Sequence, residues 1–169
     1  MANIHGECYV AAMVSLAFVE RDIRKIVMEA LKYVSRGSEF YGIVSEIIDI
    51  CKNTTDWNLF TQKTEQRFKH YHCVYTYPNI WIVVNSLWQS QGDFNKALMI
   101  CLMSGLDTDC NCGVTGAKLG AFNGTPGIDR NWYEPFNVTL ETYNMRGKFK
   151  RMKILKLAKE MVNVVREYW

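Results

Sequence analysis

Apolar residues recur at intervals of three and four through most of this chain, and most of these runs follow a residue that can cap a helix. The clearest run follows Ser38 and contains Phe40, Ile43, Val44, Ile47, Ile48 and Cys51. This spacing forms one apolar stripe along a helix, and the serine hydroxyl can accept the first unpaired backbone N–H groups. Repetition of the pattern predicts seven or eight helices, no credible sheet and an all-α fold.

The same signals place the other helices. One is predicted from Tyr9 to Glu20, and others are expected after Asp22, Asp56 and Asp93 and from Pro78, where a proline fits the first turn. The helix from Pro78 has apolar residues nearly all round, which predicts a central core helix. Residues 4–7 are expected to form a short loop before the first helix, and residues 70–77 to form a loop because no partner strand is evident. A final helix from about Phe149 to Trp169 is expected to bury Met152, Leu155, Met161, Val162 and Val165.

Length and composition narrow the class of protein. A chain of 169 residues with 49% hydrophobic and 22% charged residues is expected to form a single domain over residues 1–169. The net charge of +3 gives no reason to expect a nucleic-acid partner. No apolar run approaches the roughly 18 to 20 residues of a membrane span, so no membrane association is expected. Six scattered cysteines without a signal peptide favour a cytoplasmic location.

An acidic break separates two apolar segments at residues 104–113. Asp107 and Asp109 lie two residues apart there, and they can converge on one cation only if the backbone is irregular, which Gly105 permits. A helix cap is an equally good interpretation of either aspartate. A calcium loop is excluded because Cys112 and Lys118 occupy the positions that need glycine and glutamate.

A zinc site is a weak alternative elsewhere in the chain. Two histidines and a cysteine lie close together at His70, His72 and Cys73. No second pair of ligands follows at the spacing of a zinc finger, so metal binding by these three residues is not expected.

The acidic break also carries a family resemblance. Asp107-Thr108-Asp109-Cys110-Asn111, followed by a glycine- and alanine-rich run to Gly124, resembles the C-terminal metal motif of the ADP-ribosylglycohydrolase family. Other segments with family-like sequence are residues 6–13, 77–79 and 92–94, and a tail containing Trp132, Pro135 and Asn137. The likeness covers nearly all of the chain, and its aspartate motif is the most specific part.

This resemblance implies an orthogonal multi-helix bundle with two Mg²⁺ ions that hydrolyses the glycosidic bond between ADP-ribose and a modified acceptor. Asp107 and Asp109 would be catalytic metal ligands, with Asp109 bridging the ions. A loop at Gly6-Glu7 would approach the diphosphate. Cys110 stands at the third ligand position, where many members have a hydroxyl, and Asn111 could replace it or contact the substrate.

One part of the family pattern is missing from these residues. The family's N-terminal half carries a Thr-Asp-Asp cluster with the other metal ligands, and nothing like it occurs here. The chain therefore resembles the C-terminal half of such a domain. Exposed apolar surface at Trp81, Trp88 and the glycine- and alanine-rich helix is then expected, together with self-association or pairing with a separate N-terminal half. A non-catalytic module that binds ADP-ribose or serves in assembly is the alternative function.

Overall fold

The all-α prediction is confirmed by the computed structural model, which describes residues 2–136 and 138–168. The chain divides into two compact units, Met1–Ile128 and Asp129–Trp169, so the expectation of one domain over 1–169 stays a prediction. The first unit contains seven α-helices among its described residues: α1 Ala2–Ala17, α2 Ile23–Ala30, α3 Glu39–Asn53, α4 Trp57–Phe68, α5 Thr76–Ser90, α6 Phe94–Met103 and α7 Thr108–Asn123.

Helix α5 is the centre of the first unit. Every residue from Tyr77 to Ser90 is buried, and the helix packs against each of the other six helices. Its nearly uniform apolar sequence predicted this central place, because a helix that is apolar all round must be covered all round. The expectation that Trp81 and Trp88 lie on exposed apolar surface is wrong. Trp81 is 1% exposed and packs against the rings of Phe60 and Phe68, 5.4 and 5.0 Å away between centroids.

The predicted caps of the first unit are also confirmed. The Asp22, Ser38, Asp56 and Asp93 side chains each accept backbone N–H groups of the following turn. The expected loop at residues 4–7 is wrong, because α1 begins at Ala2 and runs through it. Gly6 allows a close approach there: a Cβ at this position would lie 2.9 Å from Cγ2 of Thr76.

The second unit contains a small sheet that was not predicted from the sequence. Strands β1 (Thr139–Glu141) and β2 (Arg151–Lys153) pair antiparallel, with Leu140 opposite Met152, and helix α8 (Ile154–Tyr168) follows directly. Met152 and Leu155 are three residues apart, as on one face of a helix, which placed the predicted start of the helix near residue 149. The three residues of β2 are too few to separate a period of two from one of 3.6.

Burial in α8 also differs from the prediction. Met152 is buried, as expected, but it lies in β2. The other four residues predicted to be buried are exposed: Leu155, Met161, Val162 and Val165. None of the described helices is both long and apolar enough to cross a membrane.

Candidate active site

The acidic break forms the connection between α6 and α7. Gly105 and Leu106 both adopt positive φ angles, of 74° and 59°. Asp107 follows with φ −85° and ψ 70°, and the Thr108 N–H donates to the Leu106 carbonyl oxygen at 3.1 Å, which makes Asp107 the centre of an inverse γ-turn. The irregular backbone expected from Gly105 is therefore present, and it extends over three residues.

This backbone conformation determines whether the Asp107 carboxylate caps α7. Asp107 occupies the N-cap position of α7, yet its carboxylate accepts no capping hydrogen bond. The N-cap aspartates of α2, α4 and α6 all accept such bonds. The capping interpretation is therefore wrong for the Asp107 side chain, whose carboxylate is left for other partners.

Those partners are Asp109 and Cys110. Among the described residues, these three side chains are the one group of His, Cys, Asp and Glu residues whose ligand atoms converge, all within 4.8 Å of one another. His70, His72 and Cys73 do not form such a group in the part of the chain that the structure describes. The two carboxyl groups thus converge as a cation site requires.

The pKa values of two members of the group are shifted in opposite directions. A hydrogen bond with Asp107, together with the backbone N–H groups of Asp109 and Cys110, lowers the pKa of Asp109 below its ordinary value. The hydrogen bond to Asp107 and the negative charge of that carboxylate raise the pKa of the Cys110 thiol. A bound cation would screen these two carboxyl groups from each other.

Asn79 holds this corner of the molecule together, and the sequence analysis did not assign it this role. Its Nδ2 donates to the carbonyl oxygens of Cys73 and Tyr75 at 2.7 and 2.8 Å. Its Oδ1 accepts from the Asp107 backbone N–H at 3.2 Å and from Asn111 Nδ2 at 2.8 Å. An amide side chain in the first turn of a helix with apolar residues nearly all round was the signal that could have identified it.

A pocket of about 430 Å³ opens beside the acidic group. Helices α1, α5 and α7 and the loop before α5 line it, and five of the predicted site residues are among its walls: Gly6, Glu7, Asp107, Cys110 and Asn111. Asp109 is not one of its lining residues but belongs to the adjacent acidic group. Gly6 and Glu7 therefore reach the predicted site as part of a helix rather than as a loop.

Asn111, expected as a replacement ligand or a substrate contact, lines the pocket and also makes structural hydrogen bonds. The residue is buried, and its Nδ2 is committed to Asn79. Its backbone N–H makes the first hydrogen bond of α7, to the Asp107 carbonyl oxygen at 2.9 Å. In this structure Asn111 fixes the start of α7 against α5, and through it the position of the carboxylates.

The fold and the site define an all-α protein with a pocket beside two convergent carboxylates. The family model of the ADP-ribosylglycohydrolases matches residues 2–168, so the chain belongs to this family. No curated protein and no solved structure gives a significant match. The match covers nearly the whole chain and does not test the interpretation that these residues form the C-terminal half of a longer domain.

Proposed function

We propose that this chain contributes the acidic half of a Mg²⁺-dependent site that hydrolyses the glycosidic bond between ADP-ribose and a modified acceptor. The observation that carries the proposal is the pocket, which collects family-like residues from α1 and α7, about a hundred positions apart in the sequence. Its volume of about 430 Å³ lies within the range of small-molecule sites.

The donor set supports one divalent ion. Mg²⁺ prefers hard oxygen ligands and is commonly held by one or two carboxylates with water or phosphate oxygens at the remaining positions. Asp107 and Asp109 supply those carboxylates within 4.8 Å of each other, whereas the protonated thiol of Cys110 is a poor ligand. When bound, the ion would polarise substrate oxygens and activate water.

A second ion needs ligands from outside this group. Three donor atoms, one of them sulfur, do not fill two octahedral shells. We therefore propose that a separate N-terminal half, or a second copy of this chain, adds the remaining oxygen ligands. All six cysteines are free, which fits the proposed cytoplasmic location.

Because the pocket is negatively charged, Mg²⁺ is needed to bind ADP-ribose as well as to support its hydrolytic release. Glu7 and Asp107 line the pocket, and Asp109 lies next to it. The diphosphate of ADP-ribose is negatively charged, so its approach to these carboxylates is repulsive until a cation lies between them. ADP-ribose is therefore expected to bind with Mg²⁺ present and to bind far more weakly with a chelator.

Calorimetry and a release assay test the proposal. ADP-ribose is titrated into the chain with Mg²⁺ and with EDTA, and ADP-ribose release from an ADP-ribosylated protein is followed with Mg²⁺. Asp109→Asn should abolish Mg²⁺-dependent binding, whereas Asp49→Asn, on an exposed face of α3, should leave it unchanged. Equal Mg²⁺ affinity in Asp109→Asn and in the unaltered chain would refute the metal role.

A non-catalytic ADP-ribose-binding or assembly module is the second candidate. The specific observation in its favour is the ligand count, because Cys110 replaces a hard ligand and no fourth donor converges on the group in the described residues. Binding of ADP-ribose without release, even after the chain is supplied with an N-terminal half from a complete family member, would favour this module. If the chain binds neither Mg²⁺ nor ADP-ribose, assembly is the one candidate function that remains.

A further inference from the structure

Helix α8 differs from every other described α-helix in having no buried residue. Nine of its fifteen residues are apolar, and at 100° per residue they all fall on one half of the helix circumference. They are Ile154, Leu155, Leu157, Ala158, Met161, Val162, Val164, Val165 and Tyr168. Met161 at the centre of this face is 62% exposed, and Leu155 near its edge is 66% exposed. A large apolar face is therefore open to solvent.

The width of the face helps to identify what covers it. A helix that packs on a globular core carries an apolar stripe of roughly 100°, whereas this face spans about 180°. Recognition of a helix in a protein groove likewise uses a narrow row of anchors. A helix that is apolar over half its circumference and charged over the other half matches the sequence of helices that lie in the plane of a membrane interface.

Charge identifies the kind of surface. Residues 146–168 contain eight lysines and arginines and two glutamates, a net charge of +6, whereas residues 1–145, with twelve basic and fifteen acidic residues, carry −3. Lys148 forms an ion pair with Glu160 at 3.5 Å, which neutralises one of the two acidic groups on the helix. The segment is therefore basic next to its own apolar face, and a second copy would bring two such segments into repulsion.

The basic residues of α8 are also placed where an interface needs them. Lys159 and Arg166 are seven residues apart and lie at the border between the apolar and polar halves. Long basic side chains at such a border can keep their stems among apolar groups while their charges reach anionic headgroups. No membrane association was expected because no apolar run is long enough to span a bilayer, but a helix that lies in the interface needs no such run. We propose that α8, with the basic residues before it, binds the full chain to an anionic lipid surface by lying in its interface.

Vesicle co-sedimentation of the full chain tests this proposal. Vesicles of phosphatidylcholine mixed with phosphatidylserine should bind the chain, vesicles of phosphatidylcholine alone should bind it far more weakly, and added salt should reduce the binding. Met161→Glu, at the centre of the apolar face, should weaken binding about tenfold or more. Asn163→Glu makes the same change in charge on the polar face and should cost about fivefold at most.

A charge variant and a solution measurement complete the test. Lys159→Gln should weaken binding to the mixed vesicles about fivefold without changing the response to phosphatidylcholine. Equal binding to both kinds of vesicle, equal losses in Met161→Glu and Asn163→Glu, or no binding at all would overturn the proposal. So would a dimer in sedimentation velocity that Met161→Glu dissociates, because the occupant of the face would then be a second copy. Circular dichroism of each variant confirms that the fold is intact.

Discussion

Lys118 lies inside the first unit, on the buried face of α7, and its side chain is 0% exposed. Its Nζ donates to the Val114 carbonyl oxygen one turn earlier, at 3.2 Å. Burial lowers the pKa of Lys118 from 10.5 to about 7. Lysine is almost never fully buried without a charged partner, so this residue opposes folding whenever it is charged.

The magnitude of the effect follows from this pKa. The difference between a pKa of about 7 in the folded protein and 10.5 in the unfolded chain corresponds to about 5 kcal/mol. The free energy of unfolding is lower by this amount when Lys118 is protonated in the folded protein. In Lys118→Met the apolar chain is kept and the ammonium is removed, at the loss of one hydrogen bond worth about 1 kcal/mol. The variant should therefore be more stable than the unaltered chain by about 3 kcal/mol at pH 7.

The pH dependence carries a definite sign. Between pH 7 and 10.5 the unfolded lysine holds a proton that the folded one has lost, so the stability of the unaltered chain rises with pH relative to the variant. The advantage of Lys118→Met should shrink by about 1.4 kcal/mol for each pH unit above 7. Urea unfolding at pH 7, 8 and 9 measures it, with the exposed Lys63→Met as the control that should show no such trend. A gain that stays constant with pH, or a less stable variant, would refute the reasoning.

Three further variants address the site. Asn79→Ala should lower the free energy of unfolding by about 2 to 3 kcal/mol in urea titrations, because buried partners of its amide lose their hydrogen bonds. Gly6→Ala should cost about 1 to 2 kcal/mol by crowding Thr76, and Thr76→Ser should recover most of that loss in a double-mutant cycle. Cys110→Ser should raise the Mg²⁺ affinity measured by calorimetry several-fold, because it replaces sulfur with a hard oxygen donor.

Short-range sequence signals were sufficient to predict most helices and helix caps of the first unit. A cap depends on a few neighbouring residues, so Ser38 and Asp93 could be assigned from sequence, and the apolar run after Pro78 was enough to identify the central helix. Family membership was also predictable from the aspartate motif and is confirmed by the match over residues 2–168. Asn137, in the family-like tail, lies outside the described residues.

Three features could not be assigned from the sequence, because two depend on contacts that are distant in sequence and the third is an element of only three residues. Asn79 acts on residues 28 and 32 positions away, and no local pattern reports such a bond. The burial of Lys118 depends on the packing of α7 in the first unit, and its sequence neighbours do not require it. The three-residue strand β2 offers too few residues to separate a period of two from one of 3.6.

The connection before α7 shows why the geometry of the site depends on the whole fold. Leu106 adopts a positive φ of 59°, which is unusual for a leucine. Asp107 makes no capping hydrogen bond, whereas the N-cap aspartates of three other helices do. Both features cost free energy locally, of order 1 kcal/mol each. They persist because Asn79 holds the Asp107 backbone N–H from α5. Without that bond the connection should relax toward an ordinary cap, the Asp107 carboxylate should turn to the α7 N–H groups, and Asn79→Ala should lose Mg²⁺ affinity while Asp109 is still present.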